Sequence, residues 1–193
     1  MIPFSAHFAL DYRDAAREPK LLHNLSAVAV AGRFLWTASD EGRSLECLEP
    51  DGDGYRLRRQ YRLDARKRER LQIKKRTVVL HFLHLGGLGV RDITRSGDEM
   101  FVLAGPVTSA PAPFRIYRWK PQDPTYVQRP VLLHEWAYSW GTSTPAEDPE
   151  NPEGLSVLDR GRPGLLVLFD SPRLSRIEGS RYFADWGPIP GAD

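Results

Sequence analysis

Leu83-His84-Leu85-Gly86-Gly87-Leu88-Gly89-Val90-Arg91-Asp92-Ile93-Thr94-Arg95-Ser96-Gly97-Asp98-Glu99-Met100-Phe101-Val102-Leu103-Ala104-Gly105-Pro106 reads as two short strands. The first is apolar and entered through three glycines; the second covers 101–103 and follows the Ser96-Gly97-Asp98 turn. Glycine before a strand lets backbones crowd together, as they must where sheets converge on an axis. The same plan recurs at Ser26-Ala27-Val28-Ala29-Val30, a turn at Gly32, and then Phe34-Leu35-Trp36-Thr37. It recurs again at Glu153-Gly154-Leu155-Ser156-Val157, a turn at 160–164, and then 165–169. Three such copies predict a radial β-repeat, an architecture that names no reaction.

Working outward, 193 residues are enough for a sizeable core, and the length predicts one domain over 1–193. Sixteen Gly and sixteen Pro among many short apolar runs favour an all-β chain with frequent turns over a helical one. No apolar run approaches the ~20 residues of a membrane span. The start, Met1-Ile2-Pro3-Phe4-Ser5-Ala6-His7, lacks the basic and apolar regions of a signal peptide. Cys47 stands alone, which excludes an intrachain disulfide and a cysteine metal cluster and fits a reducing compartment. Its setting, Leu45-Glu46-Cys47-Leu48, reads as a packed strand thiol. The expectation is a soluble, cytoplasmic protein without membrane contact.

Strands are expected near 4–12, 26–30, 34–38, 44–48, 55–63, 114–119, 131–140 and 181–186, with Asp51-Gly52-Asp53-Gly54 as a tight turn. Four strands in about 40 residues is the size of one propeller blade. The formal charge of +2 is spread unevenly: Arg56, Arg58, Arg59, Arg62, Arg66, Lys67, Arg68, Arg70, Lys74, Lys75 and Arg76 crowd one stretch. Residues 64–77 read as a basic linker or frayed helix. A sharper reading gives 56–76 to nucleic acid or an acidic protein. Because no aromatic residue lies between Arg62 and Arg76, base stacking is unsupported and a solvated linker is favoured.

Several phrases in fixed order resemble a known family: Asn24-Leu25-Ser26-Ala27-Val28, His81-Phe82-Leu83-His84-Leu85-Gly86-Gly87-Leu88-Gly89-Val90-Arg91-Asp92, Leu103-Ala104-Gly105-Pro106, Phe114-Arg115-Ile116-Tyr117-Arg118-Trp119, Pro152-Glu153-Gly154-Leu155 and Phe169-Asp170-Ser171-Pro172. They resemble a bacterial domain-of-unknown-function family, number 3616, over roughly 24–63 and 78–186. The resemblance implies a β-propeller-like fold and a likeness to the group with phytase-related, esterase-like activity, without an established reaction. Members resemble chains of about seven blades. Here the basic segment stands where further repeats would be, so the chain looks like a shortened member with three recognisable blades plus terminal strands. Either the termini build a fourth blade, or the arc stays open and its edges are covered by the basic segment or by a second copy in a homodimer.

In such an architecture the inner strands face a central channel. Aligning the copies puts Ser26, Arg91 and Glu153 at one equivalent position, while Asp40, Glu41 and Asp170 follow second strands. A hydrolase reading has Glu153 and Asp170, with Asp92 or Asp40, hold a divalent cation such as calcium that polarises an ester or phosphate, and has Arg91 bind an anionic group. The plainer reading has Arg91 and Glu153 pair across the channel while Asp40 and Asp170 cap turns. Binding contacts are expected at Arg91, Glu153, Ser26 and Asp40, metal contacts at Glu153 and Asp170, and any catalytic role falls to Glu153, Arg91 or Asp92.

His81 and His84, three apart, face opposite sides of a strand and read as structural. Ser171 lacks the Gly-x-Ser-x-Gly elbow. Gly86-Gly87-Leu88-Gly89 opens a strand, whereas a nucleotide loop opens a helix. The five Trp residues read as sheet packing. The expectation is therefore a binding or scaffold module for an unknown small molecule or protein, with a metal-assisted hydrolase of phytase-like or lactonase-like kind as the alternative.

Overall fold

Glycine-led turns cut the chain into hairpins. Gly32, Gly52 and Gly97 each open a two-residue turn at φ of 60°, 58° and 58°. That left-handed backbone is open to glycine and strained for other residues, and its twist matches the flanking strands. The computed structural model describes residues 1–13, 21–39, 44–62, 81–107, 112–122, 126–136, 150–170 and 172–191, and these hold no α-helix. The basic run 64–77 and Asp40 lie outside the described residues.

In chain order the strands are β1 Ser5–Asp11, β2 Leu25–Ala31, β3 Phe34–Ser39, β4 Ser44–Asp51, β5 Gly54–Arg62, β6 Phe82–Leu83, β7 Gly89–Ser96 and β8 Glu99–Gly105. They continue with β9 Phe114–Trp119, β10 Val127–Gln128, β11 Val131–Trp136, β12 Asn151–Asp159, β13 Pro163–Asp170, β14 Ile177–Glu178 and β15 Arg181–Pro188. Among the described residues the expected boundaries hold to within a few residues, because alternating apolar side chains and turn glycines mark the ends; the end of the strand expected over 131–140 lies outside them.

Three four-stranded antiparallel sheets result. The first is the meander β2-β3-β4-β5; the second runs β7-β8-β9-β11. The third is β12-β13-β15-β1, and its fourth strand comes from the other end of the chain, with Phe8 opposite Ala184 and Leu10 opposite Tyr182. The two terminal strands therefore complete the third sheet and build no fourth one. β1 also pairs in parallel with β5, Leu10 opposite Tyr55, which joins the first and third sheets into one path from β12 to β2. The two ends of that path pack against each other, and β12 packs on its other side against β7. The architecture is all-β and propeller-like, a nearly closed barrel-like sheet with the second sheet docked on it.

Its core explains the order. β13 has apolar residues on both faces: Leu166 and Leu168 join Phe8, Leu10, Leu35, Leu48 and Tyr182 between the third and first sheets. Leu165, Val167 and Phe169 join Phe101, Leu103, Ile116 and Leu133 between the third and second. Each fully buried Leu or Phe contributes about 1.5–3 kcal/mol over leaving it in water. The third sheet is thus the filling, with a sheet on either side. A smaller cluster, Leu85, Val102, Ala104, Tyr117 and Trp119, lies on the far face of the second sheet. The parallel pair β6 and β10 adds a separate two-stranded sheet.

Polar groups inside the first interface are bonded to one another. Tyr12 Oη and Thr37 Oγ1 are 2.9 Å apart, and Glu46, with no exposed surface, accepts from Ser44 Oγ at 2.5 Å and Gln60 Nε2 at 3.3 Å. Cys47 is buried on β4 as a free thiol, as its apolar neighbours predict. At the edge of the second interface the His134 ring meets both Phe4 and Trp136 edge-on, with centroids at 4.8 and 4.4 Å.

Gly154 on β12 marks a close approach of the third sheet to the first. A Cβ there would meet Leu168 Cβ and Val28 Cγ1 at 3.2 Å and the Ser26 carbonyl oxygen at 3.4 Å. Gly154→Val is expected to destabilise the fold by about 1–3 kcal/mol through overpacking, read from the denaturant midpoint. An unchanged midpoint would mean that this contact is slack.

Burial holds the His134 imidazole below its ordinary value, with the backbone at Ile2 and the Asp185 charge opposing it. The unfolded chain then takes up a proton at about pH 6.5 before the folded protein does. Stability from neutral His134 is full above that pH and is lost as the pH falls. The denaturant midpoint should drop between pH 7.5 and 5.5, and drop less in His134→Phe.

Candidate functional site

The three inner strands share one irregularity. Pairing slips by one residue between Leu25 and Ala27 on β2, between Val90 and Asp92 on β7, and between Pro152 and Gly154 on β12. The extra residues are Ser26, Arg91 and Glu153, the three that the sequence aligns. A bulge removes its residue from the ladder and re-aims the side chain, which is how an inner strand turns a polar group toward its neighbour.

Two of the three meet. Arg91 Nη1 lies 3.4 Å from Glu153 Oε1, and Arg91 Nη2 donates to the Pro106 carbonyl at 2.5 Å. Their side chains are 36% and 23% exposed, so the pair is open to water and to a ligand. Gly105, at the end of β8, makes room chiefly for the Phe114 ring, which a Cβ there would meet at 2.5 Å, and it also lies close to Arg91, whose Nε would be 3.3 Å from that Cβ. The pairing across the inner strands is the one the sequence anticipates.

Asp92, next along β7, bonds to backbone. Its Oδ2 accepts from the Leu155 amide on β12 and its Oδ1 from the Ile93 amide, both at 2.7 Å. Burial pushes its carboxyl above the usual range, and the two amide donors pull it back. Both oxygens are committed, so Asp92 staples the second sheet to the third.

Ser26 is half-buried on its bulge, with its carbonyl toward Gly154. Asp170, the last residue of β13, pairs with Asn151 and is half-buried. Among the described residues no three His, Cys, Asp or Glu side chains gather as a metal would need. Glu153 also has a guanidinium in a place a cation would compete for.

A family model described as protein of unknown function (DUF3616) matches residues 24–68 and 56–185. The chain belongs to that family. No curated protein and no solved structure matches it.

Other polar features of this DUF3616 chain were not legible beforehand. Arg176, nearly buried, bonds Glu150 at 2.5 and 2.9 Å and Asp185 at 2.6 Å, and its guanidinium lies 4.0 Å over the Phe169 ring. Burial alone would lower its pKa, but the two carboxylates hold it raised. The three charges come from the entry to β12, a single 3₁₀ turn over Leu174–Arg176, and β15, so no local pattern announces them. His81 and His84 flank β6 and belong to no strand. His81 Nδ1 lies 3.3 Å from Gln128 Nε2 and its ring meets Trp119 edge-on, the structural role expected of it.

Removing the Asp92 staple should loosen the two sheets. Asp92→Asn puts an amide N–H₂ opposite one of two backbone donors and is expected to cost about 1–3 kcal/mol of stability. Equilibrium unfolding in urea measures it, and a variant as stable as the parent would deny Asp92 this role.

Proposed function

We propose that the DUF3616 chain is a cytoplasmic binding module made of three copies of one four-stranded repeat, and that it takes an anionic group of its ligand at Arg91. The observation carrying this reading is the Arg91–Glu153 pair at 3.4 Å, partly exposed, where two inner strands converge. A guanidinium presents donors in a planar fork that suits carboxylate or phosphate. One arm is committed to the Pro106 carbonyl, which fixes the plane, while the other makes a long contact that an incoming anion can replace. The buried, free Cys47 supports a reducing compartment.

The same geometry favours binding over hydrolysis. Asp92, one of the candidate acids, spends both oxygens on backbone amides, and Glu153 faces a guanidinium. Nucleic-acid binding by the basic stretch draws less support. Of its described residues, Arg56 and Arg58 lie within 4 Å of Asp51 and Glu49, and Arg58 and Arg59 stack over Phe34 and Tyr61.

The test is a thermal-melt screen of the parent and Arg91→Ala against phosphate and citrate, and of the parent and Glu153→Gln against calcium, magnesium and manganese. An anion at about ten times its Kd should add about 1.4 kcal/mol, a rise of a few degrees, that Arg91→Ala loses. If neither anion moves the parent's midpoint, or both proteins move alike, the binding reading fails. A divalent-ion shift that disappears in Glu153→Gln would replace it with the hydrolase.

A further inference from the structure

The connection from β9 to β11 is unusual for strands that pair directly, Arg118 opposite Val131. An ordinary hairpin needs about two to five residues, whereas this one uses 120–130 and forms β10 on the way. Binding residues are found disproportionately on loops held by a rigid scaffold. Along this connection, Arg118 to Lys120, Gln122 and Tyr126 to Val131 line a half-open cleft of about 570 Å³. That falls within the roughly 300–1,000 Å³ of small-molecule sites.

Its walls have a definite chemistry. Arg118, Lys120 and Arg129 line it, and no carboxylate does among the described residues. Arg118 is anchored by donating to the Pro190 carbonyl at 3.1 Å and has Glu99 3.9 Å from its Nε. Lys120 and Arg129 are exposed and make no ion pair among the described residues. The aromatic lining is Trp119 and Tyr126. Trp119 is 9% exposed, while Tyr126 is 68% exposed, a large ring left in water at the mouth of a cavity.

The scaffold is preorganised through Gln128, which is buried on β10. Its Oε1 accepts from Trp119 Nε1 at 2.5 Å and from the Gln122 amide at 3.3 Å, and its Nε2 lies 3.3 Å from His81 Nδ1. One side chain thus ties the strand end, the loop and the β6 segment together. The framework of the site is in place before a ligand arrives, and the ordering left to binding is that of the exposed side chains of Lys120, Arg129 and Tyr126.

We infer that this cavity is a second ligand site, separate from Arg91 and Glu153, for a small molecule that combines a planar aromatic ring with phosphate, as a nucleoside diphosphate does. The ring stacks on Tyr126, and the phosphates sit among Lys120, Arg129 and Arg118. Neither half suffices alone: an isolated anion gains one partly exposed and two exposed cations, screened by water, and an isolated ring gains one exposed aromatic.

Isothermal titration of the full chain with ADP, adenosine and inorganic phosphate tests it. ADP should bind saturably, more tightly than either fragment, and more weakly as salt rises. Arg129→Glu and Tyr126→Ala, both at exposed positions and checked for folding by circular dichroism, should each weaken ADP by about tenfold or more. Because phosphate can also engage Arg91, the titrations are repeated in Arg91→Ala, where saturable ADP binding should persist. The site is overturned if ADP gives no saturable heat at millimolar concentration, if phosphate alone matches ADP, if both cavity variants bind like the parent, or if Arg91→Ala removes the binding.

Discussion

The structure depends on β13 having no face for water. Leu166 and Leu168 point to one neighbouring sheet, while Leu165, Val167 and Phe169 point to the other. A strand apolar on both sides is stable only when sheets cover both sides. Everything else in the arrangement serves that burial. The sheet holding β13 must reach far enough outward to support both neighbours, and β12, β13 and β15 do not suffice. The chain's first strand supplies the missing edge, and by pairing also with β5 it ties the covering sheet to the covered one. The two ends of the chain are thus held by the ladder with the most to lose if it opens.

Crowding at the inner end follows from the same packing. β12 lies against both β2 and β7, so most of its residues are shielded from solvent. Glycine at 154 admits the first approach, and Asp92 governs the second by binding the Leu155 amide directly. The bulges at Ser26, Arg91 and Glu153 take one residue out of each ladder at this crowded end. A polar side chain taken out of the ladder has somewhere to go, whereas one kept in register would be forced into an apolar face.

Legibility divides along the range of the interactions. Strand positions are local: alternation at 114–119 and glycine turns at Gly32, Gly52 and Gly97 locate elements without knowledge of partners. The equivalence of Ser26, Arg91 and Glu153 is also local, because Ser26 and Arg91 each stand six residues before their turns and Glu153 seven before its own. Partners are another matter. Nothing in residues 5–11 says that they pair with 181–186 rather than start a sheet of their own, since any alternating strand satisfies either edge. The Arg176 cluster and the Gln128 tie join segments distant in sequence through single side chains, and a lone Arg or Gln carries no spacing to read. Asp40, expected to follow the second strand of the first copy, falls outside the described residues.

The division of labour between Arg91 and Asp92 bears on what the inner end is for. A partly exposed ion pair contributes about 0–1 kcal/mol, because water screens it and two flexible side chains must be held. A carboxylate accepting a backbone amide from another sheet contributes about 1.5–3 kcal/mol and has a fixed direction. Register between the second and third sheets therefore rests mainly on Asp92, with little drawn from Arg91 or Glu153. Were alignment the sole requirement, apolar residues at 91 and 153 would do as well at lower desolvation cost. A guanidinium braced by a carbonyl, facing a carboxylate it only loosely holds, is better suited to exchanging partners than to joining sheets.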